Sequence, residues 1–252
     1  YISHKMEEVY TITDQITVLR DGASIATWNT KEATNDMVVK AMVGRELTEQ
    51  YPKRKVEIGD TILELKNFTQ EGVFENISFK LRRGEILGLV GLVGAGRTET
   101  MQALFGITKP DSGEVYLKGQ KVEFKKPVDA IKNGLAYVTE DRKGEGLVLP
   151  MSIAHNITLP SMKELSRKIF IKQKEEKDRV GKEITDLKVK TTSPNLAVKN
   201  LSGGNQQKVV LAKWMLKNPD VIIFDEPTRG IDVGAKAEIY KLMNEFVAEG
   251  KA

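Results

Sequence analysis

Two stretches carry residue types that handle phosphate. The first, GLVGAGRT at 91–98, sets Gly91, Gly94 and Gly96 around Ala95 and closes on Arg97 and Thr98. Glycines let a turn aim its main-chain N–H groups inward, the helix start that follows adds positive potential, and a hydroxyl at the end can hold Mg²⁺. The place usually filled by lysine is Arg97, which keeps the charge on a longer, less adaptable planar fork. The second stretch, VIIFDE at 221–226, is an apolar run delivering Asp225 and Glu226 together. As a buried strand it would present both acids at its C-terminal end, where open α/β sheets bind ligands. Asp225 is then the candidate metal holder and Glu226 the candidate to orient and deprotonate water, the two jobs phosphoanhydride hydrolysis leaves to acids.

Between them, LSGGN at 201–205 places Ser202, Gly203 and Gly204 at the start of a helix, a second anion-seeking end. Each motif has an ordinary alternative: a Gly-rich turn with no ligand, an acid pair capping a helix, and for Ser202 a plain N-cap. The order of the three along one chain favours the phosphate reading, because each member then has a phosphate or metal task.

The elements that must position these residues read as alternating strands and helices, an α/β sheet with a helical insertion. EILGLVG at 85–91 is an apolar run of the kind buried in a parallel sheet, and a helix over 98–105 follows it, with Met101, Leu104 and Phe105 on one face and Gly106 as its stop. TILELKNF and NISFKL alternate as strands, and residues 114–122 form a hairpin around Lys118-Gly119. A helix near 127–133, the strand LAYV, a long polar helical region over about 161–187 and the strand VIIF complete this part. The run KQKEEKDR reads as a solvated helix face, with Val180, Ile184 and Leu187 turned inward.

Upstream, ITVLRDGASIATW is a hairpin around Asp21-Gly22, and Thr34 caps a short helix stopped by Gly44. A charged stretch with Pro52 loses all periodicity and reads as a linker, giving the boundaries 1–48, linker 49–60, and 61–252 with a helical subdomain at about 145–215. Trp28 and Trp214 read as packing residues.

Composition excludes some chemistry. The 252 residues hold no cysteine, so disulfides and thiolate metal sites are out. No apolar run approaches the ~20 residues of a membrane span. The net charge of +4 would suit phosphate, an anionic membrane face or nucleic acid, and does not choose among them. The chain opens on Tyr1 with nothing resembling a signal peptide and reads as a piece of something longer.

LSGGNQQK resembles the signature of ATP-binding cassette proteins, DEPTRGID their Walker B and D-loop, and GLVGAGRT their Walker A. The resemblance covers nearly the whole chain. GLVGAGRTET, the EDRKGEGL stretch and DEPTRGIDVGAKAEIYKL look like the second cassette of the tandem-cassette ATPases of bacterial monosaccharide import. MVGRELTEQYP and LKVKTTSPNLAVKNLSGGNQQK look most like the xylose members, with ribose and galactose members next.

The resemblance implies a P-loop NTPase cassette with antiparallel strands beside the core, ATP and Mg²⁺ as ligands, and a location peripheral on the cytoplasmic side of the cell membrane. It implies as partners a first cassette on the same full-length chain, permease subunits met by the helical insertion, and indirectly a sugar-binding protein. Cassettes of this kind face each other head to tail, so the phosphate awaited by Ser202, Gly203 and Gly204 would lie on the partner cassette. YISHKMEEVY resembles the end of a preceding cassette, which would make His4 its γ-phosphate switch histidine, while the second cassette's own switch would fall beyond Ala252. His155 reads as ordinary.

Two departures bear on activity. Glu140 stands where cassettes carry a metal-touching glutamine, and would add negative charge beside the metal. The adenine-stacking aromatic is open between Phe68 and Phe74, each also a core candidate. Arg97, Glu140 and the switch histidine that would fall beyond Ala252 support a second reading, a cassette that binds nucleotide and barely hydrolyses it. A third reading, a DNA-handling cassette, expects long heptad coiled coils between the Walker motifs; residues 99–200 hold none, so no nucleic-acid partner is expected.

Overall fold

A computed structural model describes residues 1–3, 5–20, 22–44, 55–167, 170–231 and 233–252. The expectation for His4 and residues 49–54 of the linker expected at 49–60 therefore lie outside the described residues. The chain forms two compact units, one of residues 1–53 with 230–244, the other of 54–229 with 245–252.

The first unit holds helix α1 (Met6–Ile12), the antiparallel hairpin β1 (Gln15–Arg20) and β2 (Ala23–Asn29), and helix α2 (Asn35–Val43). The alternation in ITVLR turns Ile16 and Val18 inward, where they join Ala33 and Val38; Met6, Val9, Tyr10, Trp28, Ala41 and Met42 pack around them. Trp28 is thus a packing residue, as expected. Thr34 caps α2 by accepting from the Met37 amide at 3.3 Å, and Gly44 ends it in the left-handed conformation that glycine enters without steric cost.

The second unit is built on an antiparallel sheet in the order β4-β3-β5-β6, formed by β3 (Thr61–Gln70), β4 (Phe74–Arg82), β5 (Ser112–Leu117) and β6 (Gln120–Val122). Helix α3 (Arg97–Phe105) stops at Gly106, and Met101, Leu104 and Phe105 are all buried. Helix α4 (Pro127–Lys132) leads into β7 (Leu135–Val138), which pairs in parallel with the later strand β10 (Val221–Phe224), Tyr137 opposite Ile223. The insertion comprises α5 (Ile153–Thr158), α6 (Met162–Leu165), the short hairpin β8 (Ser166–Arg167) and β9 (Phe170–Ile171), α7 (Gln173–Asp186) and α8 (Gly203–Met215). Helix α9 (Val233–Ala248) follows β10, its residues up to Asn244 belonging to the first unit and the rest to the second.

Two expectations are corrected. The helical region over 161–187 is broken by the β8–β9 hairpin, because Ser166 ends α6 in an extended conformation. The run EILGLVG is neither a strand nor buried: Ile86 is 54% exposed, Leu89 40% and Val90 96%. Apolarity alone makes a buried strand only when a neighbouring strand accepts its ladder. Here, among the described residues, β10 pairs with β7, and Ile222 and Asp220 exchange backbone bonds of 2.9 and 3.0 Å with Ala252.

In α7 the lysine- and glutamate-rich face lies in solvent and Val180 is buried, as the periodicity predicts. Burial, helped by nearby Asp186, pushes the Glu183 carboxyl up from 4.5 to about 7. Between those values the folded chain holds more protons than the unfolded chain, so stability falls as pH rises through that window. With solvent screening allowed for, Glu183→Gln is expected to be more stable than wild type at pH 8 by on the order of 1 kcal/mol, the gap closing below pH 5. Urea melts at pH 5 and pH 8 check this, and equal gaps at both values would refute it.

Candidate functional site

The loop at 91–96 turns on glycines at the positions where its backbone requires them. Gly94 and Gly96 have φ of +80° and +78°, in the left-handed region that ordinary side chains avoid. The Ala95 amide donates to the Leu92 carbonyl at 3.1 Å, closing the turn, and Gly91 lies so close that a Cβ there would sit 2.9 Å from the Ala95 Cβ. The first bond inside α3 runs from the Thr100 amide to the Gly96 carbonyl at 2.9 Å, and the Thr100 hydroxyl reinforces it at 2.6 Å. The amides of Arg97, Thr98 and Glu99 precede that bond and have no partner within the helix. Above Gly94 there is open space, with no atom within 4 Å of where a Cβ would stand. A glycine turn with open space beside Gly94, at the start of a nine-residue helix whose first amides have no partner within it, fits a polyphosphate.

The acids stand beside this loop. Glu226 is exposed, has a φ of +42°, and its Oε1 lies 3.9 Å from Nη2 of Arg97, so the residue that follows the glycine turn and the acid beyond β10 lie side by side. Asp225 is half-buried. Its amide donates to the Val138 carbonyl at 2.9 Å, and its Oδ2 accepts from the Tyr137 hydroxyl at 2.8 Å. Burial first, and that bond second, push the Tyr137 hydroxyl far above its ordinary range, so it stays a donor. Mg²⁺ needs few protein ligands, one or two carboxylates plus phosphate oxygens. The Asp225 carboxylate and the Thr98 hydroxyl are the right chemistry for it, and the lack of a cluster of three acids or histidines among the described residues is no obstacle.

Glu140 carries a partner that the sequence did not indicate. Its carboxylate forms an ion pair with Arg229, so its charge is offset by a guanidinium. Arg142 Nη1 donates to the Arg229 carbonyl at 2.9 Å. Asp141 caps the wide helical turn at 142–146 by accepting from the Lys143 and Gly144 amides, each at 3.0 Å. The buried Lys213 of α8 donates to the Gly146 carbonyl at 2.6 Å, and desolvation lowers its ammonium to about 8. The loop after β7 is thereby held to the helix that begins at Ser202.

Ser202, Gly203 and Gly204 open α8 as the motif predicts. Ser202 is the N-cap residue of α8, its carbonyl accepting from the Gln206 amide at 2.9 Å, while its hydroxyl makes no cap bond to the backbone and instead accepts from Asn205 Nδ2 at 3.0 Å. Among the described residues no hydrogen bond or ion pair joins 202–204 to 91–98. Phe68 and Phe74 are both buried and stack on each other with ring centres 5.6 Å apart, so both are core residues. Trp214 is buried edge-on to Phe105, and His155 is exposed on α5.

Sequence reasoning missed Tyr137, Arg229 and Lys213. A signal existed for the first: a tyrosine in the otherwise apolar LAYV must find a partner for its hydroxyl when buried. No local pattern marks the other two, whose partners lie far off in sequence.

Residues 74–229 match the family model described as "ABC transporter", and the chain belongs to that family. The fold is that of an ATP-binding cassette. A solved nucleotide-free cassette from an ABC transporter aligns with a TM-score of 0.65 at 22% identity, over 76% of this chain and 79% of that one. A dimeric cassette in a post-hydrolysis state with ADP and phosphate aligns at 0.64 and 22%, over 75% and 85%.

Among curated relatives, the chain is similar to the ribose import ATP-binding protein RbsA of Oceanobacillus iheyensis, 55% identical over all of this chain and 51% of the relative. RbsA of Bacillus subtilis is 53% identical over the same shares. A putative ribose/galactose/methyl galactoside import ATP-binding protein of Rhizobium etli is 48% identical over all of this chain and 48% of the relative. The chain thus spans about half the length of the curated relatives it matches. Among the described residues no helix is long and apolar enough to cross a membrane.

Proposed function

We propose that the chain is the second cassette of a tandem-cassette ATPase that binds and hydrolyses ATP to drive import of a monosaccharide, ribose being the sugar that the relatives' names favour over the xylose suggested by motif resemblance. The observation that carries the reading is the approach of Arg97 to Glu226, which joins a glycine turn suited to polyphosphate to an acid suited to activating water. The amides of the turn and of α3 hold the β- and γ-phosphates, with Gly91, Gly94, Ala95 and Gly96 shaping the cradle and Arg97 adding charge. Thr98 and Asp225 hold Mg²⁺, which when bound offsets the negative charge of the phosphate oxygens. Glu226 orients the attacking water and takes its proton. Glu140, paired with Arg229, is a further carboxylate for the metal's surroundings.

In this reading, residues 1–48 close the first cassette, with His4 as its switch histidine, and Ser202, Gly203 and Gly204 meet the nucleotide held by that cassette. The helical subdomain at about 145–215 meets permease subunits at the cytoplasmic face of the membrane, and a sugar-binding protein delivers the substrate from outside. The test is transport: the full-length protein with its permease and sugar-binding protein in proteoliposomes is expected to accumulate ribose, more than xylose, only when ATP is supplied on the cassette side. Xylose preferred over ribose overturns the sugar assignment, and failure of any monosaccharide to accumulate overturns the import role.

A second reading is a cassette that binds nucleotide and hydrolyses it weakly, regulating a catalytic first cassette. Its support is that Arg97 occupies the lysine position and is paired with the proposed base.

A further inference from the structure

We infer that Tyr137 is a positioning residue for Asp225, setting the orientation in which that carboxylate takes a divalent cation; this rests on the reading of Asp225 as the metal-holding acid. Asp225 directly follows β10, and both of its described bonds go to β7: its amide to the Val138 carbonyl at 2.9 Å and its Oδ2 to the Tyr137 hydroxyl at 2.8 Å. The backbone bond fixes where the side chain starts, and the phenol fixes its rotation. The donor is itself rigid. Tyr137 is 3% exposed in the middle of a four-residue strand whose every position is buried, and its ring lies 5.5 Å from that of Phe105 at 44°.

Phe105 ends α3, the helix that the glycine turn opens, and its other side meets Trp214 of α8 at 6.1 Å, edge to face. The three aromatic rings therefore tie the hydroxyl that holds Asp225 to the helix that starts at the phosphate turn and to the helix that starts at Ser202. A half-buried carboxylate without this donor would rotate about its last side-chain bond. One oxygen would then have to be ordered on each cation capture, whereas with Oδ2 engaged, Oδ1 is already presented.

Partners of this kind behind a ligand commonly change metal affinity by ten- to a hundredfold. The experiment titrates ATP binding by the full-length protein with MgCl₂, and also without metal in EDTA, for wild type, Tyr137→Phe, Asp225→Asn and the double variant. Tyr137→Phe is expected to raise the Mg²⁺ concentration for half-maximal effect about tenfold while metal-free ATP affinity stays within twofold of wild type. In the Asp225→Asn background, Tyr137→Phe is expected to add no further shift, because both act through one carboxylate.

If Asp225→Asn moves the Mg²⁺ requirement and Tyr137→Phe does not, the positioning role is overturned and the site reading stands. If Asp225→Asn leaves the requirement unchanged, the metal-holding reading falls and the inference with it. A loss of metal-free affinity in Tyr137→Phe equal to its loss with metal would show a general packing defect, which also overturns the inference. The thermal midpoint of each variant separates that defect from unfolding.

Discussion

Glu226→Gln is expected to slow single-turnover ATP cleavage at this cassette of the full-length protein by about a hundredfold or more, with ATP affinity preserved. Glutamine keeps the shape and loses both the charge and the basicity needed to accept a proton from water. The structure adds a constraint on the second observable. Glu226 pairs with Arg97 at 3.9 Å, the two side chains being 47% and 35% exposed. An ion pair so exposed contributes no more than about 1 kcal/mol, so releasing the guanidinium changes affinity by less than an order of magnitude, towards tighter binding. Rapid-quench measurement of cleavage with equilibrium ATP binding separates the two effects. An unchanged cleavage rate would show this cassette's own site to be idle and would favour the regulatory reading over the catalytic one.

Gly96→Ala is expected to weaken ATP binding at this site by at least tenfold. At a φ of +78° an alanine carries about 1–2 kcal/mol of backbone strain. Its Cβ would also stand 3.0 Å from the Val73 carbonyl oxygen and 3.1 Å from the Phe74 Cβ. Neither neighbour can swing away, since one is main chain and the other begins β4. The strain is relieved by shifting the start of α3, and with it the amides that face the phosphates, where a displacement of about 1 Å is costly. Gly181→Ala on α7 is the control. It lies in a helix with no atom within 4 Å of a new Cβ, so binding is expected to stay at the wild-type value. Isothermal titration of the three proteins with ATP checks both outcomes; equal affinities would show that the glycine turn does not hold the nucleotide.

Much of this architecture was legible before any coordinates. The stop at Gly106 and the turn at Lys118-Gly119 each rest on interactions within a few residues, and the alternating stretches TILELKNF and NISFKL fall within β3 and β4, where the pattern puts them. The polar stretch before Asp186 was less legible, because a two-residue hairpin leaves no period to detect. The run at 85–91 failed for another reason: its composition reports that it is apolar, and nothing in it reports whether another strand lies alongside. Phe68 and Phe74 were open between ligand stacking and core until their contact with each other put both in the core.

For the site, the sequence by itself determined the inventory: a glycine turn before a helix, an acid pair after an apolar strand, and Ser202 at the head of a second helix. These are local signals, carried by backbone conformations that only certain residue types adopt and by the order of segments along the chain. Tertiary structure alone decided the partnerships, with Arg97 against Glu226, Tyr137 behind Asp225, Arg229 on Glu140 and Lys213 on the 142–146 turn. Each of these joins residues separated by many intervening positions. Charge and hydrogen-bond partners are chosen by whichever groups packing leaves within about 4 Å, and no periodicity along the chain records that choice.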